Sequence, residues 1–79
     1  MDLQHLVTST AAKLSLMRQT DMRPEHTLLG DIGMDGDDFS YSFVPGLEKA
    51  LGIRTSQSDW SGVLTIRDVV LMLQNKIQE

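Results

Sequence analysis

The sequence predicts a small all-α domain over residues 1–79, a helical bundle of three main helices plus a short helical turn. Its 79 residues are enough for one domain. Hydrophobic residues make up 41% of the chain, which is typical of a folded core. Three segments carry apolar residues at spacings of three and four, the pattern of an amphipathic helix. No segment alternates apolar and polar residues for long enough to indicate a strand.

The first segment predicts a helix over about residues 2–19. Its apolar residues share one face: Leu3, Leu6, Val7, Ala11, Leu14 and Met17. Asp2 suits the N-cap because its carboxylate can accept a hydrogen bond from the first free amides. Pro24 closes the segment because a proline disfavours the helical conformation of the residue before it.

Residues 20–36 form a long connection between the first two helices. Connections of this length without structure of their own are uncommon in compact domains. Four apolar side chains are therefore expected to hold it on the core: Leu28, Leu29, Ile32 and Met34.

A second helix is expected to begin at about Asp37 or Asp38 and to end at Gly52. Carboxylates are favourable at a helix N-terminus, and glycine suits the left-handed residue that follows a helix. The apolar face consists of Phe39, Phe43, Leu47 and Leu51. An interior proline costs about 3 kcal/mol or more. Pro45 is therefore expected either to kink the helix or to split it near residues 42–45.

The last helix is expected over about residues 66–78. Thr65 precedes it as an N-cap, and Asp68 stands at the capping-box spacing, although Glu or Gln is preferred there. Its apolar residues are Ile66, Val69, Val70, Leu73 and Ile77. The connection before it, residues 53–64, is expected to hold one helical turn around residues 58–61.

Charge and composition exclude several classes of function. The net charge of −4 argues against nucleic acid and against an anionic membrane surface, both of which require basic residues. No stretch approaches the ~20 apolar residues that cross a bilayer, and the N-terminus lacks the features of a signal peptide. The chain has no cysteine, so a disulfide or a thiol nucleophile is impossible. A cytoplasmic location is expected.

The most informative motif is the acidic, glycine-rich turn at residues 31–38. It resembles the turn Asp-Leu-Gly-x-Asp-Ser-Leu of acyl carrier proteins. Residues 47–53 resemble that family's Leu-Glu-x-x-Phe-Gly-Ile, and residues 65–70 resemble its Thr-Val-x-Asp-Ala-Ile, in the same order and register. The turn is more similar still to that of bacterial carrier-like proteins of unknown function, which have Asp-Leu-Gly-Ile-Asp-Gly-Asp-Asp.

The resemblance implies a degenerate phosphopantetheine site. In the family, a serine at this turn is esterified to 4′-phosphopantetheine, whereas this chain has Gly36, which offers no hydroxyl. We therefore expect no phosphopantetheine and no other cofactor. Ser40 is a weak alternative because it lies about 6 Å further along the helix axis. Ser42 points to another side of the helix.

The expected function is a non-catalytic interaction module. The resemblance implies that Asp35 corresponds to the residue that helps the modifying transferase engage the turn. Asp38 corresponds to an acidic residue of the recognition helix. We expect Asp35, Asp37 and Asp38 to meet a basic protein partner, with apolar contact from Tyr41 or Phe39. Two alternatives remain open: a true acyl or peptidyl carrier modified at another serine, and a small regulatory or immunity-type protein on the same fold.

Two aromatic residues have more than one interpretation. Phe39 shares a helix face with Phe43 and is also compatible with the core. Trp60 lies in the second connection, where it can cap the core or stand exposed as an anchor for a partner.

Metal binding and catalysis are not expected. The acidic turn partly matches the calcium loop of an EF-hand with Gly36 at the sixth position. However, Gly33 at the third position supplies no side-chain oxygen, and Ser42 stands at the twelfth position, where a bidentate glutamate is required. His5 and His26 have no partner at a metal-ligand or catalytic spacing, so both are expected to be solvated.

Overall fold

Three helices and a 3₁₀ turn form the regular structure of residues 2–78, the part of the chain that the computed structural model describes. Helix α1 is Leu3–Ala12, the 3₁₀ turn is Gln19–Asp21, helix α2 covers residues 36–51, and helix α3 is Ile66–Gln78. The all-α prediction is confirmed. Over this range the β-type pairing is an isolated antiparallel bridge between Thr27 and Thr65.

Helix α1 begins as predicted but ends seven residues early. The Asp2 carboxylate accepts a hydrogen bond from the His5 N–H at 3.2 Å. The predicted end at residue 19 is wrong, since α1 ends at Ala12. The hydroxyls of residues 8–10 all donate to carbonyls three or four residues earlier, and such bonds tend to bend or destabilise a helix.

The chain reverses direction after α1. The Gln19 side-chain amide lies 3.2 Å from the His5 Nδ1 and donates to the His5 carbonyl at 3.3 Å. In a continuous helix, residues 14 positions apart would be about 21 Å apart along the axis. The segment after residue 12 therefore folds back along α1.

The first connection is held on the core by three of the four predicted residues. Leu28, Ile32 and Met34 are buried, whereas Leu29 is 57% exposed, so the prediction for Leu29 is wrong. A reciprocal pair of hydrogen bonds organises the loop. The Asp31 carboxylate accepts from the Thr27 N–H at 3.0 Å, and the Thr27 Oγ1 accepts from the Asp31 N–H at 2.8 Å. This pairing closes residues 27–31 and turns Leu29 outward.

Helix α2 accommodates its proline through a wide turn rather than a split. It consists of an α-helical turn at Gly36–Asp38, a π-helical segment at Phe39–Phe43 and an α-helix at Val44–Leu51. The Val44 N–H donates to the Phe39 carbonyl, five residues back. Pro45 has no N–H, and in a regular helix its ring would crowd the carbonyl four residues earlier. The wider π-helical turn before Pro45 provides the departure from regular geometry that the proline requires. Of the two expected outcomes, a kink or a split near residues 42–45, the split does not occur, because the helical segments follow one another without a break.

Helix α2 ends as predicted. Gly52 has φ +66° and ψ +33°, and its N–H donates to the Glu48 carbonyl. The next N–H, of Ile53, donates to the same carbonyl at 3.1 Å. The left-handed residue thus satisfies a carbonyl that the helix would otherwise leave free.

Helix α3 begins with the predicted capping box. The Thr65 Oγ1 accepts from the Asp68 N–H at 3.1 Å, while the Asp68 carboxylate accepts from the N–H groups of Leu64 and Thr65 at 3.0 and 3.1 Å. The Leu64 donor is the main reason that the pKa of Asp68 lies below its usual value, followed by the Thr65 donor. Aspartate therefore serves here in place of the preferred Glu or Gln.

The second connection holds hydrogen-bonded turns over residues 57–62 rather than a regular helix. The N–H groups of Trp60 and Ser61 both donate to carbonyls three residues earlier, at 3.2 Å. The Asp59 carboxylate accepts from the Ser56 N–H at 2.8 Å and pairs with the Lys76 ammonium at 3.1 Å. Both contacts lower the pKa of Asp59, the backbone hydrogen bond more than the lysine.

The core lies between the three helices and the first connection. Its buried apolar residues are Val7, Ala11, Met22, Leu28, Ile32, Met34, Phe43, Leu47, Ile66, Val69 and Leu73.

Over residues 2–78, no helix is both long enough and apolar enough to cross a membrane.

Candidate functional site

The acidic turn opens helix α2. Asp35 is the N-cap, with φ −69° and ψ 147°, and its carboxylate accepts a hydrogen bond from the Asp37 N–H at 3.2 Å. Asp35 and Asp37 are exposed and Asp38 is half-buried. In the described part of the chain, no Lys or Arg forms an ion pair with any of the three. The turn therefore presents negative charge to solvent at the positive end of the helix dipole, where that charge is favourable.

Gly36 is the first residue of helix α2, one position before the predicted start. Its φ lies outside the left-handed region. A Cβ built on Gly36 would have no heavy atom within 4 Å. The backbone at this position would therefore accept a serine, and what the position lacks is the hydroxyl rather than the room.

The π-helical segment displays three polar side chains to solvent. Ser40 and Ser42 are exposed, and Tyr41 is 79% exposed. Tyr41 therefore occupies the surface position that the helical pattern predicts. Ser40 is accessible but lies beyond the turn that positions Gly36.

Phe39 belongs to an aromatic cluster with Phe43 and Trp60. The Phe39 ring stacks on Phe43 with a centroid separation of 5.7 Å, and it meets Trp60 edge-on at 5.3 Å. Phe43 and Trp60 also make an edge contact at 6.2 Å. Phe43 is fully buried, while Phe39 and Trp60 are half-buried. Phe39 thus packs against the core, and its remaining exposed surface is smaller than that of Tyr41.

The position of Trp60, left open by the sequence, is settled by a chain of hydrogen bonds. The indole N–H donates to the Thr55 Oγ1 at 2.8 Å, and the Thr55 hydroxyl donates to the Glu48 carboxylate at 2.8 Å. The Thr55 N–H donates to the same carboxylate oxygen at 2.6 Å. Trp60 therefore covers the end of the aromatic cluster. Sequence patterns do not predict the contact between Thr55 and Glu48, because it spans seven residues and follows no local motif.

A small apolar cavity lies beside Phe39 and Trp60. Its volume is about 220 Å³, and we name it the leucine pocket; its lining comprises Thr27, Leu28, Leu29, Gly30, Phe39, Trp60, Val63 and Leu64. Leu29 is 57% exposed and Leu64 is 66% exposed, so both lie at its mouth. Local sequence patterns do not predict this pocket, because its walls come from three separate segments of the chain.

A second, open groove runs along the other side of the acidic turn. Gly33, Asp35 and Asp38 line it together with residues 13–16. Leu16 is fully exposed there. The groove exists because the chain turns back after α1, which places residues 13–16 beside the start of α2.

Both histidines have hydrogen-bonding partners within the protein. His5 is exposed and its Nδ1 lies 3.2 Å from the Gln19 Nε2. His26 is half-buried rather than solvated, and its Nδ1 accepts a hydrogen bond from the Arg23 N–H at 3.0 Å.

Asp31, the first residue of the EF-hand match, turns its carboxylate to Thr27. Over residues 2–78, the structure gathers no group of three or more His, Asp or Glu side chains able to hold a metal ion.

Comparison with protein-family models finds no match to this chain, and comparison with curated proteins finds none either.

Proposed function

We propose that the chain is a non-catalytic protein-interaction module of the acyl-carrier-protein type, without the serine that would carry phosphopantetheine. Its partner site is the acidic turn together with the first turns of helix α2. The observation that carries this proposal is the group of three carboxylates, Asp35, Asp37 and Asp38, with no cation paired to it within residues 2–78.

Charge defines the kind of partner. Three carboxylates in four consecutive residues repel one another, and a basic surface would relieve that repulsion. Each exposed ion pair contributes only about 0.2–1 kcal/mol, so the charges serve mainly to speed association and to select the partner. The net charge of −4 favours a protein with a basic patch over nucleic acid or an anionic membrane.

Apolar contact would come mainly from Tyr41. Tyrosine is enriched among residues that dominate binding energy, and Tyr41 is 79% exposed beside the carboxylates. Phe39 contributes less by direct contact because its ring packs on Phe43 and Trp60. No prosthetic group and no catalytic step is part of this function, and the absence of cysteine fits a cytoplasmic protein.

Charge reversal tests the partner site. The protein carrying Asp37→Lys and Asp38→Lys should lose the partners that the wild-type protein captures from its native cell. A matched control carries Asp21→Lys and Glu25→Lys, which change the net charge equally at exposed positions outside the turn. Circular dichroism checks that both variants are helical. Retention of every partner by the first variant would contradict the proposed site.

Intact mass tests the missing attachment. Wild-type protein incubated with a phosphopantetheinyl transferase and coenzyme A should keep its mass. The variant with Gly36→Ser and Asp37→Leu restores the family's Asp-Ser-Leu turn and should gain a phosphopantetheine adduct, since a Cβ at residue 36 meets open space. An adduct on the wild-type protein would instead support a true carrier modified at Ser40 or another serine. A folded double variant that stays unmodified would contradict the carrier resemblance.

Partner identity separates the remaining alternative. Capture of a toxin or a single enzyme, inhibited on binding, would favour the regulatory or immunity-type protein on the same fold.

A further inference from the structure

The leucine pocket is a preformed cavity with apolar walls. Leu28 and Leu29 come from the first connection, Val63 and Leu64 from the second, and Phe39 from helix α2. A backbone hydrogen bond of 2.9 Å from the Leu28 N–H to the Leu64 carbonyl ties the two connections together. The edge contact between Phe39 and Trp60 fixes a third wall. A hydrogen bond and an aromatic contact therefore link the segments that form the pocket walls.

The size of the pocket limits its occupant. A volume of about 220 Å³ is below the range of about 300–1,000 Å³ that is typical of sites for drug-sized ligands and cofactors. One aliphatic side chain is of the right scale. Leu29 and Leu64 at the mouth leave apolar surface in water, which such a side chain would cover.

Two carboxylates accept hydrogen bonds from backbone N–H groups of the pocket walls. Asp31 accepts from the N–H of Thr27, a residue of the pocket wall. Asp68 accepts from the N–H of Leu64, and the nearby Arg67 offsets part of its charge. Asp37 and Asp38 precede Phe39 in the chain, and Asp38 lines the neighbouring open groove rather than the pocket itself. This distribution disfavours an occupant with an acidic head, such as a free fatty acid, and favours one flanked by cations.

We propose that the leucine pocket receives one aliphatic side chain, of leucine or methionine size, from a basic segment of the protein partner. This inference rests on the proposed function and names the partner's chemistry. The aliphatic side chain enters between Leu29 and Leu64 while neighbouring lysines or arginines meet Asp31, Asp37 and Asp38. Asp37 is two residues from Phe39, about 6 Å between Cα atoms, so a short segment reaches both.

A pair of synthetic peptides tests the pocket. Both are short and rich in lysine, and they differ at one central position, leucine in the probe and serine in the control. Binding is followed by amide chemical shifts and by the fluorescence of Trp60, which is the single tryptophan and lines the pocket. Burial of one aliphatic side chain should make the leucine peptide bind at least about tenfold more tightly.

Single substitutions test whether the leucine pocket causes the preference for the leucine peptide. Leu29→Gln and Leu64→Gln should each remove most of the preference for the leucine peptide, and the exposure of both residues means that the fold is retained. The matched control is Leu71→Gln, at a leucine that is 51% exposed and lies outside the pocket. An unchanged preference in Leu64→Gln would overturn the assignment to this pocket.

The remaining outcomes separate this inference from the proposed function. Equal binding of the two peptides, abolished by charge reversal of Asp37 and Asp38, would overturn the pocket inference and leave the proposed function intact. Absence of binding by either peptide at millimolar concentration would also overturn it, while partner capture decides the proposed function independently. If decanoate binds at the same residues more tightly than the leucine peptide, the proposed peptide side chain is wrong and the occupant is a free aliphatic chain.

Discussion

Phe43 is the residue on which the aromatic cluster depends, and Phe43→Ala tests that dependence. The side chain is fully buried and contacts both Phe39 and Trp60 through its ring. Truncation removes the buried ring, leaves a cavity in the core, and ends both aromatic contacts. Removal of a buried phenylalanine typically costs about 3–5 kcal/mol.

This cost is large for a chain of 79 residues. At about 0.05–0.15 kcal/mol per residue, the free energy of unfolding is about 4–12 kcal/mol. Phe43→Ala should therefore remove a quarter or more of the total stability and lower the melting temperature by about 12 °C or more. Phe43→Leu fills most of the cavity and should cost less than Phe43→Ala, although it still loses about 0.5–1.5 kcal/mol for each ring contact.

Urea unfolding followed by far-UV circular dichroism measures the loss, and the fluorescence of Trp60 reports the change in its surroundings. Tyr41→Ala is the matched control, because Tyr41 lies on the same helical segment and is 79% exposed. It should change stability by less than about 0.5 kcal/mol. Equal stabilities of Phe43→Ala and Tyr41→Ala would refute the assignment of Phe43 to the core.

Three further predictions concern helix ends and acid stability. Thr65→Ala should cost about 1 kcal/mol in urea unfolding, because it removes the hydroxyl that caps α3, and Thr65→Ser should restore most of the loss. In the folded protein the pKa of Asp68 lies below its ordinary value of 3.8. The stability that this carboxylate contributes is therefore present above pH 3.8 and is lost as the pH falls through the folded pKa. Between neutral pH and pH about 2, the melting temperature of Asp68→Asn should fall less steeply than that of the wild-type protein. An equal fall in the two proteins would exclude this linkage. Gly52→Ala should cost about 1 kcal/mol because φ is +66° there, while Gly36→Ala, with open space and ordinary φ, should cost less.

The sequence predicts best the features that depend on a few adjacent residues. The Asp2 cap, the Gly52 terminus and the Thr65–Asp68 box all form as expected. Each is a contact within four residues, so the side chains that make it are determined by local spacing. The burial of Phe43 and Leu47 also follows from their positions on one helix face.

The features that the sequence does not predict depend on contacts between distant segments. The periodicity of residues 3–17 continues past Ala12, but the bonds from Gln19 back to His5 and Thr8 favour a reversal of the chain over a longer helix. Leu29 follows the buried Leu28 and has the same hydrophobicity, yet the Thr27–Asp31 pairing turns it outward. A local pattern cannot show which of two adjacent leucines is buried when the conformation of the loop determines it.

The start of helix α2 separates the candidate site into two surfaces. Successive residues of a helix point about 100° apart, so Asp38 lines the open groove with residues 13–16 while Phe39, the next residue, lines the leucine pocket. One turn of helix can therefore present charge to one part of a partner and an apolar wall to another. Changes at Asp38 and at Leu64 act on different surfaces, so their effects on binding a partner that spans both should be nearly additive. Strong coupling between them would mean instead that a single partner group contacts both.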